Sequence, residues 1–195
     1  MISIALFPCT FTDGARIVGE LSYTLEKPVY TDQMILDMMS EQQGIAVTEL
    51  QDRLFTRTHK ASRLSFEKEK LIECARYFLD QIQSEATDYL YYGFFASLID
   101  TSSTLTQRIL IVADHHCRIK RAQRQEHLSE SKAKSAIHEH DVKVSCWTRF
   151  LHDRPPYHAD LFDTVIRYEC QDLFDVITYI CMKYDAHLYE HPQLC

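Results

Sequence analysis

The first thirty residues most constrain what this chain can fold into. Residues 2–7 (ISIALF) form a short apolar run that reads as a buried strand. A turn holding Pro8, Thr10, Thr12, Asp13 and Gly14 follows, and residues 15–25 (ARIVGELSYTL) read as a helix. A buried strand that turns through small polar residues into a helix N-terminus presents backbone N–H groups and the positive end of a helix dipole to whatever sits in the turn. That is the arrangement that holds phosphate. Its working form reads G-x-x-x-x-G-K-[ST]. Here Gly14 is the one glycine left of that pattern, and no Lys follows it. The whole chain has four glycines, Gly14, Gly19, Gly44 and Gly93. Little material is therefore present for a loop that must admit positive φ and close backbone approach.

The remainder alternates strand and helix signals. Residues 28–30 (PVY) read as a short extended piece. Residues 32–42 read as a helix with Met34, Ile35, Met38 and Met39 on its apolar face, and Gly44 as its C-cap. Residues 47–55 start another helix with Thr48 as N-cap. Residues 53–65 are polar and basic without periodicity and read as a mobile loop. Residues 66–82 form a strongly amphipathic helix. Residues 89–92 (YLYY) read as a strand ending at Gly93, and residues 94–99 as a short helix. Residues 108–113 (RILIVA) are nearly all apolar, as expected of a central strand covered on both faces. Residues 115–127 form an Arg-rich helix, and Ser129 caps a long charged helix over 130–150. Arg154-Pro155-Pro156-Tyr157 breaks it. Residues 162–167 read as a last strand, 173–184 as a last helix and 187–195 as a loose tail. Strands separated by helices imply a parallel sheet covered on two sides.

Bulk composition narrows the class. At 195 residues and 46% hydrophobic, the chain is long and apolar enough for one sizeable core. A net charge of −7 argues against a general nucleic-acid binder. No run approaches the roughly 20 apolar residues that a membrane span needs, and no basic segment followed by a long apolar one marks a signal peptide. The seven cysteines are odd in number and form no C-x-x-C pair. They suit a reducing, cytoplasmic setting better than a disulfide framework.

The second half carries a more specific match. Arg118, Ile119, Lys120 and Arg121 follow a strand and turn; Leu128, Ser129 and Ala133 come next; Asp160, Leu161, Phe162 and Asp163 then lead into the last strand. With Tyr91-Tyr92-Gly93, Ala96, Leu98 and Pro28-Val29-Tyr30 in the first half, this order resembles the cytidylate-kinase-like family of bacterial P-loop proteins over roughly residues 1–183. The resemblance implies an α/β fold, a three-layer P-loop-type sandwich with a mostly parallel sheet of about five strands. It also implies a single domain over 1–186, with a helical acceptor-side insertion (about 32–65), a helical lid (about 128–158) and a C-terminal tail (187–195). The implied ancestry is an ATP-dependent nucleoside monophosphate kinase.

The departures from the family fall at the phosphate chemistry. Its G-S-G-G-[RK]-type core aligns with Phe11, Thr12, Asp13 and Gly14, leaving Ala15 at the basic position. Arg16, one place later, points elsewhere at helical spacing. The Asp13 carboxylate repels phosphate and is placed to cap the helix dipole that should bind it. Where the family's lid helix carries Arg, residues 141–147 carry one Lys, with Arg149 and Arg154 just beyond. Each missing electrostatic stabiliser typically costs about 10²–10³-fold in rate. The nucleotide-binding candidates are Thr10, Thr12, Asp13, Gly14, Ala15, Arg118 and Arg121. The substitute catalytic cations are Arg16, Arg149 and Arg154. Arg118 and Arg121 share a helix face; they contact either a nucleotide or, as a solvated face, Glu126 and Glu130.

Other residue clusters have simpler explanations. His115-His116-Cys117 and His138/His140 lack paired zinc spacings and read as surface residues, so no metal site is assigned. Cys9 lies near a helix N-terminus, which can lower a thiol pKa, but a small buried thiol is the simpler role. Phe94 and Phe95 stand where the family's acceptor-side turn is often polar, and they suit a filled, dry pocket. Three functions stay open. The first is an impaired family member with a nucleotide-binding or protein-interaction role. The second is an active CMP/dCMP-like kinase using ATP, Mg²⁺ and the substitute arginines. The third is a dimeric scaffold with no ligand. A nucleotide, a protein partner or a second copy are the partners considered, without nucleic acid or membrane.

Overall fold

The computed structural model describes residues 3–57, 62–85, 88–99, 106–169 and 172–190. In chain order the elements are β1 (Ser3–Phe7), α1 (Gly14–Leu25), β2 (Val29–Thr31), α2 (Asp32–Gln43), α3 (Val47–Phe55), α4 (Arg63–Glu85) and β3 (Leu90–Tyr92). They continue with a 3-10 turn (Phe94–Leu98), β4 (Thr106–Val112), α5 (His115–Glu126), α6 (Glu130–His152), a second 3-10 turn (Ala159–Leu161), β5 (Thr164–Arg167) and α7 (Leu173–Glu190). The five strands pair in the order β2-β3-β1-β4-β5, and every pairing is parallel.

Parallel pairing requires helical crossovers, and these cover the sheet on both faces. Side chains alternate across β1 accordingly. Ala5 and Phe7 join a core with Ile35, Leu36, Leu54, Leu79, Phe95 and Trp147 from α2, α3, α4, the first 3-10 turn and α6. Ile4 and Leu6 face the other way, onto Ile17, Val18, Leu21 and Ile180 of α1 and α7. β4 behaves alike: Leu110 belongs to the first core, Ile109 and Ile111 to the second. Both strands are buried along nearly their whole length, the polar Ser3, Thr106, Gln107 and Arg108 at their starts included. The three-layer α/β sandwich expected from the strand–helix alternation is the fold observed. A smaller cluster of Ile119, Ala122, Ala133 and Ile137 joins α5 to α6, with Phe11 and Leu128 packed on it.

Several local expectations are corrected. Ala46, not Thr48, occupies the N-cap of α3. The polar stretch 53–65 is not one loop: α3 runs to Phe55 and α4 begins at Arg63, while 58–61 lie outside the described residues. Buried residues of α2 are Ile35, Leu36 and Met39, whereas Met34 is exposed, so the apolar face is rotated toward Leu36. α7 continues to Glu190, so 187–190 are helical rather than tail; 191–195 lie outside the described residues. Gly44 caps α2 at φ 66, and Ser129 accepts the Lys132 N–H at the head of α6, both as expected.

Candidate functional site

The loop between β1 and α1 lies at the carboxyl edge of the central strand, where open α/β sheets bind ligands. Phe11 and Asp13 adopt left-handed backbone at φ 58 and 56. Non-glycine residues held there cost about 1–2 kcal/mol each. The family pattern aligned above has glycine-rich sequence over these positions, so the loop keeps a glycine-type conformation without the glycines. The Thr12 hydroxyl is turned inward and donates to the Cys9 carbonyl at 2.5 Å. Gly14 is buried, and a Cβ there would lie 2.6 Å from the Tyr92 hydroxyl oxygen. Its lack of a side chain is therefore needed for packing at the strand–helix junction.

Acidic groups take the cations around this loop. Asp13 occupies the N-cap position of α1 yet makes no side-chain cap bond, contrary to the capping role its position implied. Its carboxylate accepts from the Gln125 amide of α5 and lies 3.9 Å from Arg121 Nε. Arg121 donates to the Glu169 carbonyl at 3.1 Å, and its guanidinium carbon sits 3.9 Å over the Tyr168 ring. Burial, then the Asp13 charge and hydrogen bond, push the Tyr168 hydroxyl pKa up. Arg118 sends Nε to the Thr10 carbonyl at 3.0 Å and clamps Asp141 of α6 with Nη1 and Nη2 at 2.9 and 2.8 Å. The Tyr157 hydroxyl also donates to Asp141, at 2.7 Å, and His140 Nδ1 lies 3.2 Å from that hydroxyl. Burial works to raise the Asp141 carboxyl pKa. Hydrogen bonds from His140, Arg118 and Tyr157, with the Arg118 charge, outweigh it and hold that carboxyl well below the usual range.

These positions revise the expectations for the basic helix. Arg118 and Arg121 are buried, so neither a solvated face nor a pairing with Glu126 and Glu130 describes them. Cys9 is buried and close to Tyr157. Burial pushes its thiol pKa up against the opposing Arg118 charge, so the activating effect of the helix N-terminus does not prevail. Ala15 and Arg16 lie on the exposed side of α1. Arg149 lines a cavity of about 350 Å³ with Arg57, Val142, Ser145, Cys146, Phe150 and Asp153, and no loop residue is among these. Eight residues of helix place Arg149 about 12 Å along α6 from Asp141. Arg154 is exposed just beyond that helix. Among the described residues, none of Arg16, Arg149 and Arg154 makes a hydrogen bond or ion pair to the loop.

Beside the loop, the carboxyl end of β3 is filled with aromatic rings. Phe94 packs at 5.5 Å from Phe7 and 4.8 Å from Phe55, and Trp147 lies 5.4 and 5.5 Å from Phe55 and Phe95. Trp147 Nε1 donates to Ser97 Oγ at 2.8 Å and to the Phe94 carbonyl at 3.1 Å. The filled region expected from Phe94 and Phe95 is present. The half-buried Asp32 carboxylate closes the same turn, accepting from the Tyr91 hydroxyl and from the Phe94 and Phe95 N–H groups at 2.8, 2.6 and 3.1 Å. A Cβ at Gly93 would collide with it. Burial raises the Asp32 carboxyl pKa to about 6 despite these three donors. Asp32, Asp141, Tyr157 and Tyr168 were not singled out by sequence. Asp141 is the one acid in the 141–147 stretch, a signal that pointed to it but not to its partner.

The loop, residues 8–14, offers ATP with Mg²⁺ no Lys or Arg of its own. The cation expected next to a β-phosphate is replaced by Ala15, and a carboxylate stands in the loop. Among the described residues, no three His, Cys, Asp or Glu side chains are grouped to hold a metal ion. No described helix is long and apolar enough to cross a membrane.

Comparison with known proteins places this architecture. The fold is similar to an uncharacterized protein of Eubacterium ventriosum ATCC 27560 (TM-score 0.73, 14% identity, 95% of this chain and 99% of that one). It is also similar to a shikimate kinase of Bacteroides thetaiotaomicron (0.55, 10%, 94% and 98%) and to TT1252 of Thermus thermophilus (0.53, 13%, 96% and 98%). At these identities the likeness concerns the fold alone. A comparison with curated protein sequences gave no match. The model of the cytidylate kinase-like family matches residues 12–169, most of the chain, and this protein belongs to that family.

Proposed function

We propose that this chain is a catalytically impaired member of its family that works by binding, of a nucleotide or of a protein, rather than by phosphoryl transfer. The observation that carries this reading is the loop itself: Ala15 at the basic position, and Asp13 turned to Arg121 and Gln125 where a phosphate needs donors. Phosphoryl transfer relies on positioning and charge neutralisation, and the cations nearest the loop are already neutralised internally. The substitute-arginine kinase draws no support from the positions of Arg16, Arg149 and Arg154.

A thermal-shift series with ATP, GTP, CMP, CTP and dCMP, each with and without Mg²⁺, tests the reading. A ligand at about 100 times its Kd adds roughly 2.7 kcal/mol, or about 5–10 °C for a chain of this size. Small, Mg²⁺-independent shifts or none are expected. A large shift requiring ATP, Mg²⁺ and a pyrimidine monophosphate together would overturn it.

A further inference from the structure

Arg118 stands where the loop, α5, α6 and the segment after α6 meet. Its side chain is 5% exposed. Nε faces the loop through the Thr10 carbonyl, and both terminal nitrogens are spent on the two oxygens of Asp141. A guanidinium offers the same parallel pair of N–H groups to a carboxylate and to a phosphate. Asp141 thus takes, with an internal carboxylate, the bidentate position that Arg118 presents beside the loop.

A strap secures this arrangement. Residues 153–157 leave α6 through Asp153 at φ 53, pass Arg154, Pro155 and Pro156, and end at Tyr157 at φ 57. Two left-handed non-glycine residues bracket two prolines of fixed φ. Such strained residues persist only where their surroundings hold them. What holds Tyr157 is Asp141, His140 and the core against which its ring packs.

We propose that Asp141, held down by the Tyr157 strap, is a built-in occupant of the phosphate position beside the loop, so that a polyphosphate anion binds there only by displacing this carboxylate. This rests on reading residues 8–14 as a degenerate phosphate loop. It adds a cause of closure that lies outside the loop and is reversible. Neutralising Asp141 leaves Arg118 a buried cation facing the loop, which an external anion then satisfies.

Isothermal titration of inorganic pyrophosphate, and separately of ATP, into the wild type, Asp141→Asn and the double variant Arg118→Met/Asp141→Leu tests this. Circular dichroism confirms folding of each. Asp141→Asn is expected to bind pyrophosphate at least about tenfold tighter than the wild type, with the gain absent from the double variant. An equal gain with ATP identifies a nucleotide as the source of the anion; a gain with pyrophosphate alone identifies an inorganic one. Unchanged binding in folded Asp141→Asn, or a gain that survives loss of Arg118, overturns the proposal. Should Asp141→Asn not fold, Tyr157→Phe releases one bond on the carboxylate and is expected to tighten pyrophosphate about threefold; no change there overturns it equally. Absence of any gain in these variants would leave the impaired-enzyme reading standing. ADP formation by the wild type would remove that reading whatever pyrophosphate does.

Discussion

The Arg118–Asp141 pair should behave as one unit in folding, and a double-mutant cycle measures this. Asp141→Ala strands a guanidinium that is 5% exposed and retains one hydrogen bond, to the Thr10 carbonyl. Breaking a buried pair in this way costs about 3–5 kcal/mol. Arg118→Met leaves a carboxylate that is 33% exposed and still accepts from Tyr157. Water and that hydroxyl offset part of the loss, giving about 2 kcal/mol. The double variant Arg118→Met/Asp141→Leu removes both charges together. Apolar replacement of a buried pair is often close to neutral, so it should cost no more than about 3 kcal/mol. The single effects then exceed the double by at least about 2 kcal/mol. Urea unfolding followed by circular dichroism gives each value, provided the m-value stays constant. Additivity within about 0.5 kcal/mol would mean that the two side chains do not hold each other, and the reasoning about the closed site would fail with it.

Further outcomes follow from single side chains. Because the Asp32 carboxyl titrates near 6 in the folded protein and near 3.8 ordinarily, the native state keeps a proton that the unfolded chain has released between those values. This group's contribution to stability is present at low pH and is lost as pH rises through about 4 to 6, by up to about 3 kcal/mol. Asp32→Asn should flatten that slope in denaturation midpoints taken across the window, and an unchanged slope contradicts the assignment. Gly14→Ala forces a Cβ onto Tyr92 and should cost about 1–3 kcal/mol; a neutral result in thermal unfolding would show that Tyr92 yields freely. Trp147→Phe removes the donor shared by Ser97 and Phe94 and leaves a void, an expected loss of about 2–3 kcal/mol that a change below about 0.5 kcal/mol would refute. Cys9, buried and with a raised thiol pKa, should alkylate more slowly than the partly exposed Cys117 and Cys146 in a mass-spectrometric time course at pH 8. Faster labelling of Cys9 would mean that the loop opens readily.

The local grammar of the fold was legible because it depends on neighbours in sequence. The strand at β1, the apolar run at β4, Gly44 after α2 and Ser129 before α6 are each decided by a handful of adjacent residues. The α7 terminus misled because residues 187–195 carry weak periodicity, yet the helix propagates through 187–190. The start of α4 was missed for a similar reason: Arg63 and Leu64 are exposed and lend no periodic signal. The site was less legible than the fold. Missing cations at the loop are visible in sequence as Ala15 and Asp13. Which acids neutralise the remaining arginines is not, because Arg118 meets Asp141 across 23 residues and Arg121 faces Asp13 of the loop, far earlier in the chain. Those encounters depend on how α5 packs against α6 and against the loop after β1. Asp32 and Gly93 show the same limit: each is unremarkable alone, and their fit emerges only when β2 and β3 pair.

The most direct measurement is ADP formed from ATP and Mg²⁺ by the wild-type protein, at high protein concentration, with CMP or dCMP as acceptor. A phosphate loop without its cation, flanked by arginines already paired to Asp141 and Asp13, predicts no ADP above the protein-free blank. Steady ADP formation that needs both Mg²⁺ and the acceptor, and that is lost when Arg118 is changed to Met, would contradict a closed and impaired site.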